Sequence, residues 1–566
     1  MARPILSWLF VLSLLVPLAG VVQAHPVNSI GARAALVYVA LPDAEALAQF
    51  EATGLPAYAR LRGHAGEYLL AGADPAGLKS LAAAGLSVRV LDADMPSASE
   101  DASYYLVYPL PGRPRPVGGL SETDYRILLD DGVQVLLRAT PEAAGRLAEV
   151  GVALQALTRN PKPLRPARAA PAFAQRAEFA PYIQAMINQV YTDTVRHYTG
   201  DLSGEWSTGI GGAAYTIATR HTTSGAPIRK ATQYVGEHLA AKGLTVEYHE
   251  WNASRPPNVI GERRGETNPH DIYIICAHLD DMPAGATAPG ADDNASGSVA
   301  VLVAADILSQ YRWGCTLRFA FWTGEEQGLL GSAAYAARCY STGENIVGVL
   351  NLDMIAWNTT SSSPGIDLHA KSTLPGTLAL ARLFADVVSA YHLNLSPEIV
   401  PSGTGSSDHA SFWNYGYTAI LGIEDFSDFN PQYHRITDRL STLDLAYFTN
   451  FVKATVGTFA SMSGCLIPGG IGYVNGHVTA AYNGVPIANA TVALSDPASH
   501  TYSATTNATG YYTRSLPNAT YTVTASAPSY IPATIAPVVV STNVVTMQDF
   551  ALANIRFYLP IVMKGG

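Results

Sequence analysis

Five short segments each set a metal-type ligand at the end of an apolar run. They are IICAHLDD (274–281), PGADDNASG (289–297), FWTGEEQG (321–328), LNLDM (350–354) and NPQYHRITD (430–438). Together they offer His278, Asp293, Glu326, Asp353 and His434, with Glu325 spare beside one of them. Two imidazoles and three carboxylates suit a pair of zinc ions that share one bridging carboxylate, and the chemistry of such a pair is hydrolysis. Taken singly, each segment has a plainer explanation. H-x-D at His278 and Asp280 is ordinarily a surface histidine, and Asp292-Asp293 before a helix is ordinarily an N-cap.

Glu325-Glu326 resists such an explanation. Two adjacent glutamates close a very apolar strand, and buried charges need partners. One is expected on metal and the other as a general base toward water. Asp353 ends another apolar strand, where an aspartate without a cation would be costly. Asp280 is expected to orient the His278 ring through its second nitrogen, and Asp438 to do the same for His434. The chain has no G-x-S-x-G nucleophile elbow and no Walker A motif, and the glycines at 209–212 stand alone.

These residues need a scaffold that brings strand ends together. Between 177 and 463 the pattern alternates strand and helix. DIYIICA (271–277), LRFAFWT (317–323), VGVLNLD (347–353) and TAILGIE (418–424) are apolar with little alternation, as strands buried on both faces are. Helical patterns lie between and after them, at 296–310 and 442–462. The expected fold is α/β, a doubly wound mixed sheet, with His278, Glu325, Glu326 and Asp353 just past the carboxyl ends of their strands.

Residues 25–160 hold an internal repeat, in which YLLAGADPAGLKSLAAAGLSVRVLD (68–92) resembles QVLLRATPEAAGRLAEVGVALQALT (134–158). Pro75 matches Pro141 and Gly85 matches Gly151, each pair bracketing a short helix between strands. This duplicated α+β module carries no ligand cluster and is expected to be either a propeptide that assists folding or covers the site, or a permanent accessory domain. Residues 161–176, rich in Pro, Ala and Arg, form a linker and a candidate site of proteolytic maturation. After a linker at 464–470, residues 471–553 read as a small β-sandwich, and 554–566 as a short apolar tail.

With 566 residues, 48% apolar and 14% charged, the chain is globular and multidomain. A net charge of −10 and the lack of any basic stripe exclude nucleic acid as the main partner. Residues 1–24 read as a signal peptide, with Arg3, an apolar stretch and Val22-Gln23-Ala24 as the cleavage site, so the expected location is secreted or extracellular. No later run is long enough to span a bilayer. Of four cysteines, Cys276 reads as a buried hydrophobe. Cys315 opens a strand and Cys339 closes the helix returning from its far end, so a Cys315–Cys339 disulfide is expected, although spacing leaves the connectivity open.

The ordered set H-x-D, G-A-D-D-N-A-S-G, G-E-E, N-L-D-M and a final His closely resembles the secreted zinc aminopeptidase family with two co-catalytic zinc ions, over roughly 185–462. That family also includes glutaminyl cyclases, glutamate carboxypeptidases and a catalytically dead receptor ectodomain. The resemblance implies a zinc-exopeptidase fold, with His278 and Asp353 on one zinc, Glu326 and His434 on the other and Asp293 bridging. It implies Glu325 as general base, Asp280 behind His278 and a cis peptide between Asp293 and Asn294. It also implies an oxyanion-supporting tyrosine. Tyr433 holds that place, since S-G-T-G-S-S-D-H (402–409) lacks the cysteine-bridged tyrosine loop of other members. Phe426 and Phe429 would wall the pocket for the first side chain. The implied substrates are peptides with a free N-terminus, cleaved by a monomer. The same metal core would also serve an acyltransferase of the cyclase type or a carboxypeptidase. The β-sandwich resembles carboxypeptidase-regulatory-like domains, and YLPIVMK resembles C-terminal signatures of exported bacterial proteins.

Overall fold

The computed structural model describes residues 34–96, 102–110, 125–149, 152–158, 161–163, 173, 179–359, 364–467, 471–497, 501–542 and 544–555. The signal peptide at 1–24, most of the linker at 161–176 and nearly all of the tail at 554–566 lie outside the described residues.

The centre is an eight-stranded mixed sheet. In chain order its strands are β1 (Thr245–His249), β2 (Asn258–Arg263), β3 (Asn268–His278), β4 (Cys315–Trp322), β5 (Asn345–Leu352), β6 (Gly365–His369), β7 (Ser396–Val400) and β8 (Ala419–Glu424). Their order across the sheet is β1-β2-β4-β3-β5-β8-β6-β7. The inner four, β4, β3, β5 and β8, run parallel, so their carboxyl ends lie along one edge. These are the four apolar runs expected to be buried on both faces.

Side chains of β3 and β4 alternate between two cores, as the two-residue period of a strand requires. Ile275, Ala277, Leu317, Phe319 and Phe321 pack on one face with α1 (Ala226–Ala241), α2 (Gly297–Leu308) and α5 (Leu445–Ser463). Ile272, Ile274, Cys276, Ala320 and Trp322 pack on the other, with α3 (Leu330–Thr342) and the short helix His409–Trp413. Helix α4 (Thr377–Ala390) joins the first core.

That alternation overturns the expected disulfide. Cys315 points into the first core and bonds Cys465, just past the end of α5, with a Cα separation of 5.7 Å. Cys339 sits on α3, across the sheet, where it is buried as a free thiol, as is Cys276. The ends of β4 and α3 are near in the chain path but on opposite sides of the β4 plane.

The N-terminal repeat forms two small sheets. One orders Val88–Asp92, Ala35–Leu41, Gly66–Ala73, Pro56–Gly63 and Lys162–Pro163, so part of the expected linker adds an edge strand. The other orders Tyr125–Asp130, Val135–Ala139, Ser103–Tyr108 and Ala153–Ala156. The matched helices are Pro75–Ala83 and Pro141–Glu149, each opening on its proline. Residues from 471 onward form two sheets around a shared core that includes Val474, Tyr512, Leu516, Val492, Val523 and Val538. Among the described residues no helix is long and apolar enough to cross a membrane.

A non-reducing digest should yield a cross-linked pair of peptides carrying Cys315 and Cys465, with Cys339 reacting with thiol reagents only after unfolding. Any cross-link through Cys339 would contradict this arrangement. Replacing Cys465 with Ser should cost about 2–5 kcal/mol of stability, read from denaturant unfolding.

Candidate metal centre

The carboxyl edge of the parallel strands gathers the site. His278 ends β3, Asp353 follows β5, and Glu325 and Glu326 occupy the turn after β4. Asp293 comes from the loop that leads into α2, and His434 from the loop after β8. All of these side chains are at least nine-tenths buried; His434 is partly exposed only through its main chain, its side chain being 4% exposed.

Asp293 stands between the two imidazoles. Its Oδ1 is 3.3 Å from His278 Nε2 and its Oδ2 is 3.4 Å from His434 Nε2. His278 Nε2 also lies 3.2 Å from Asp353 Oδ1, and His434 Nε2 lies 2.8 Å from Glu326 Oε2. Three sets of side chains could therefore each converge on a cation. They are His278, Asp293 and Asp353; Asp293, Glu326 and His434; and His278, Glu325 and Glu326. Asp293 Oδ2 and Glu326 Oε1 are buried without a hydrogen-bond partner among the described residues. Buried oxygens are rarely left so, and a metal bound to this mixed nitrogen and carboxylate set would satisfy both. The residues thus fit zinc.

Charge crowding sets the proton affinities. Burial first, then the carboxylates of Glu326, Asp408 and Asp353, push Glu325 well above the usual carboxylate range. Burial and the Asp293 carboxylate do the same to Glu326. Burial opposes charge on His278, but Asp353 and Glu325 overcome it and raise the imidazole. Asp293 moves the other way. Burial would raise it, but His278 and His434 hold it low.

The loops are held by groups that sequence reasoning assigned differently or missed. His278 Nδ1 meets the main-chain carbonyl of Asp280 at 3.0 Å, whereas the Asp280 carboxylate is 4.0 Å away. That carboxylate instead accepts from Glu325 N, Glu326 N and Thr222 Oγ1, at 3.2, 3.3 and 2.7 Å. It thereby fixes the Glu-Glu turn. Asp438 likewise accepts from Asp292 N and Asp293 N at 3.0 Å each, and does not orient His434. His434 Nδ1 contacts the carbonyl of Ala148, in the N-terminal module, at 3.0 Å.

Arg220 was not singled out from sequence, since nothing around it marks a lone arginine. It is fully buried, and its guanidinium donates to the carbonyls of Leu279, Leu202, Pro289 and Gly290 at 2.6–2.9 Å. It pins the His278 and Asp293 loops together. Gly290 has φ +46°, and a Cβ there would meet Asp293 O at 2.4 Å, so the close approach requires glycine. Asn294 donates to Leu352 O at 3.0 Å and so ties the Asp293 loop to the end of β5. The Asp293–Asn294 peptide is cis.

Tyr433 stacks on His434, with ring centroids 3.7 Å apart, and burial followed by the surrounding carboxylates raises its phenol well above the ordinary range. Phe426 and Phe429 border the site, with Phe429 5.3 Å from Tyr433 between centroids. Met354, Leu421, Ile423 and Tyr433 form an apolar cluster, and Leu110 of the N-terminal module packs on it beside both phenylalanines. Val152, Ala153 and Leu154 of the module close over the centre, leaving a cavity of about 30 Å³. Ala156 N donates to Gly328 O at 2.9 Å, fixing the module on the Glu-Glu turn.

Residues 258–458 match the family model described as Peptidase family M28, and residues 473–553 match the Carboxypeptidase regulatory-like domain. Leucine aminopeptidase 1 of Trichophyton rubrum is 30% identical over 198 residues, which are 33% of this chain and 53% of the relative. Aminopeptidase Y of Saccharomyces cerevisiae is 30% identical over 264 residues, 43% of this chain and 47% of the relative. The chain spans about half the length of these curated relatives. Among solved structures, the LapA aminopeptidase of Legionella pneumophila has a TM-score of 0.51 at 16% identity, over 65% of this chain and 99% of that one. LapB of the same organism has a TM-score of 0.52 at 15% identity, over 64% and 99%. These two structures share the fold.

Zinc added to metal-stripped protein should raise its unfolding midpoint with concentration, by about 2.7 kcal/mol of stability at a hundredfold excess over Kd. Asp293→Ala removes a carboxylate common to two of the three sets and should abolish most of that gain in calorimetry. A midpoint indifferent to zinc would contradict a metal site here.

Proposed function

The α/β domain belongs to peptidase family M28, and from that membership we propose that the chain is an exported metallo-aminopeptidase that removes N-terminal residues from peptides. The observation that carries the reading is Asp293, which offers one oxygen to each imidazole. In this reading His278 and Asp353 would hold one zinc and Glu326 and His434 a second, with Asp293 as the carboxylate they would share. When bound, the pair lowers the pKa of water and polarises the scissile carbonyl.

The chain's own residues do the remainder. Glu325, buried and of raised proton affinity, takes the proton of the attacking water and passes it to the leaving amine. The Tyr433 phenol, kept neutral by burial, donates to the developing oxyanion. The Asp280 carboxylate holds the main chain of the Glu-Glu turn and so keeps the base in place. Carboxylates beside the metals receive the free α-amine of the substrate. The apolar cluster of Met354, Ile423, Phe426 and Phe429 receives the first side chain, and the fit of Leu110 against it supports an aliphatic preference. We further propose that residues 25–160 act as a propeptide over this centre, since Leu110 and Val152–Leu154 fill the space a substrate needs. Export is supported by the amino-terminal signal pattern and by a disulfide.

Two measurements test the proposal. Glu325→Gln should lower the release of amino acids by about 10²–10⁴-fold, with zinc-dependent stabilisation retained and N-acetylated peptides inert. Wild-type rates in the variant would remove Glu325 from the chemistry, and cleavage of blocked peptides would rule out an aminopeptidase. Chain cleaved within 161–176 should turn over at least tenfold faster than intact chain, and equal rates would show that the module is no cover.

A further inference from the structure

Beyond Leu110 and Phe426 lies a second, larger cavity of about 480 Å³, and both residues line it as well as the metal centre. Its walls come from the N-terminal module, through Arg60, Tyr108 and Gln155, and from the α/β domain, through His369, Lys371 and Trp413. The lip includes the exposed residues Arg62, Ser372 and Pro401.

The lining is rich in donors that lack acceptors. His369 is 3% exposed, and its Nδ1 accepts from Thr404 N at 3.3 Å. Burial lowers its pKa to about 4, so the ring is neutral, and that bond assigns the remaining proton to Nε2. Nε2 has no hydrogen-bond partner among the described residues. The nearest carboxylate, Asp367, is 4.0 Å away and accepts from Phe426 N instead. Arg60 Nε and Thr373 Oγ1 are also buried without partners, and both residues line the same cavity. Lys371 Nζ donates to Arg60 O at 2.6 Å and lies 5.4 Å from the Trp413 ring centroid.

The charges are equally one-sided. Glu67 is committed to Arg60, which it pairs at 2.6 Å. Lys371 forms no ion pair among the described residues, and Glu67, which also lines the cavity, acts on it only at longer range. Burial, then Arg60, lowers its pKa to about 8, which still leaves the ammonium mostly charged near neutrality. A partly desolvated cation beside unpartnered donors is a site for an anionic oxygen pair, and bonds of that kind are about twice as strong as neutral ones.

We propose that this cavity binds the C-terminal carboxylate of a short peptide through Lys371 Nζ and His369 Nε2–H. The proposal rests on the aminopeptidase reading for its choice of ligand. Once the module is withdrawn, a substrate anchored by its first residue at the metals would run past Phe426 toward His369 and Lys371, and an extended chain covers about 3.3 Å per residue. The enzyme would then select peptides of a few residues with a free carboxyl end. His369 and Lys371 belong to the α/β domain, so they remain with it whether or not the module is removed.

The probe is N-acetylglycylglycine, which needs neither a free amine nor the metals. Calorimetry on the intact chain compares it with its C-terminal amide and with acetate. The free acid should bind at least tenfold more tightly than either, and Lys371→Met and His369→Leu should each bring it down to the amide. Equal binding of acid and amide to the unmutated chain would overturn the proposal. Acetate binding as tightly as the dipeptide would also overturn it, by showing a site for free anions. Amino-acid release from unblocked peptides by chain cleaved within 161–176, measured in parallel, reports on the peptidase reading alone. Turnover without acid preference sinks only this inference, and acid preference without turnover sinks only the peptidase reading.

Discussion

Negative charge confined where water cannot reach it is the constraint on which the rest of this structure depends. Asp293, Glu325, Glu326 and Asp353 converge in a buried cleft with only His278 and His434 between them. Carboxylates so placed repel one another and lose hydration, and the raised proton affinities of Glu325 and Glu326 register both costs. Divalent cations would relieve that repulsion and satisfy the two unpartnered oxygens. The scaffold must keep the group intact against its own electrostatics until they arrive.

The fold does this with main-chain hydrogen bonds directed at side chains. The Asp280 and Asp438 carboxylates are used as clamps on backbone N–H groups, one on the Glu-Glu turn and one on the Asp292-Asp293 turn. Arg220 performs the converse task, directing its guanidinium at four carbonyls, one at a helix end and three in the loops after His278 and before Asp293. These contacts position the reacting groups without touching them. Rigidity of this kind is what a preorganised site requires.

The legibility of the sequence follows from the range of each interaction. The four parallel strands were readable because they are buried on both faces, and the candidate ligands His278, Glu326 and Asp353 because each follows an apolar run, with Asp293 in a glycine-rich loop. The repeat at 68–92 and 134–158 was readable because its proline and glycine punctuate helices locally. What failed were pairings that depend on facing. Cys315 and Cys339 looked adjacent along the chain, but the strand period turns Cys315 into one core while the helix of Cys339 packs on the opposite face of the sheet. Asp280 and Asp438 stood near the expected histidines in sequence, yet their carboxylates turn to backbone donors. Arg220 and the donor-lined cavity around His369 and Lys371 were silent, since each is assembled from segments far apart in the chain.

The proposed two-metal centre turns on Asp293 as the shared carboxylate. The most direct measurement is anomalous diffraction at the zinc absorption edge from crystals of the zinc-loaded chain. Two peaks should flank the Asp293 carboxylate, one against His278 and Asp353 and the other against Glu326 and His434. A single peak, or a pair that does not share Asp293, would contradict it.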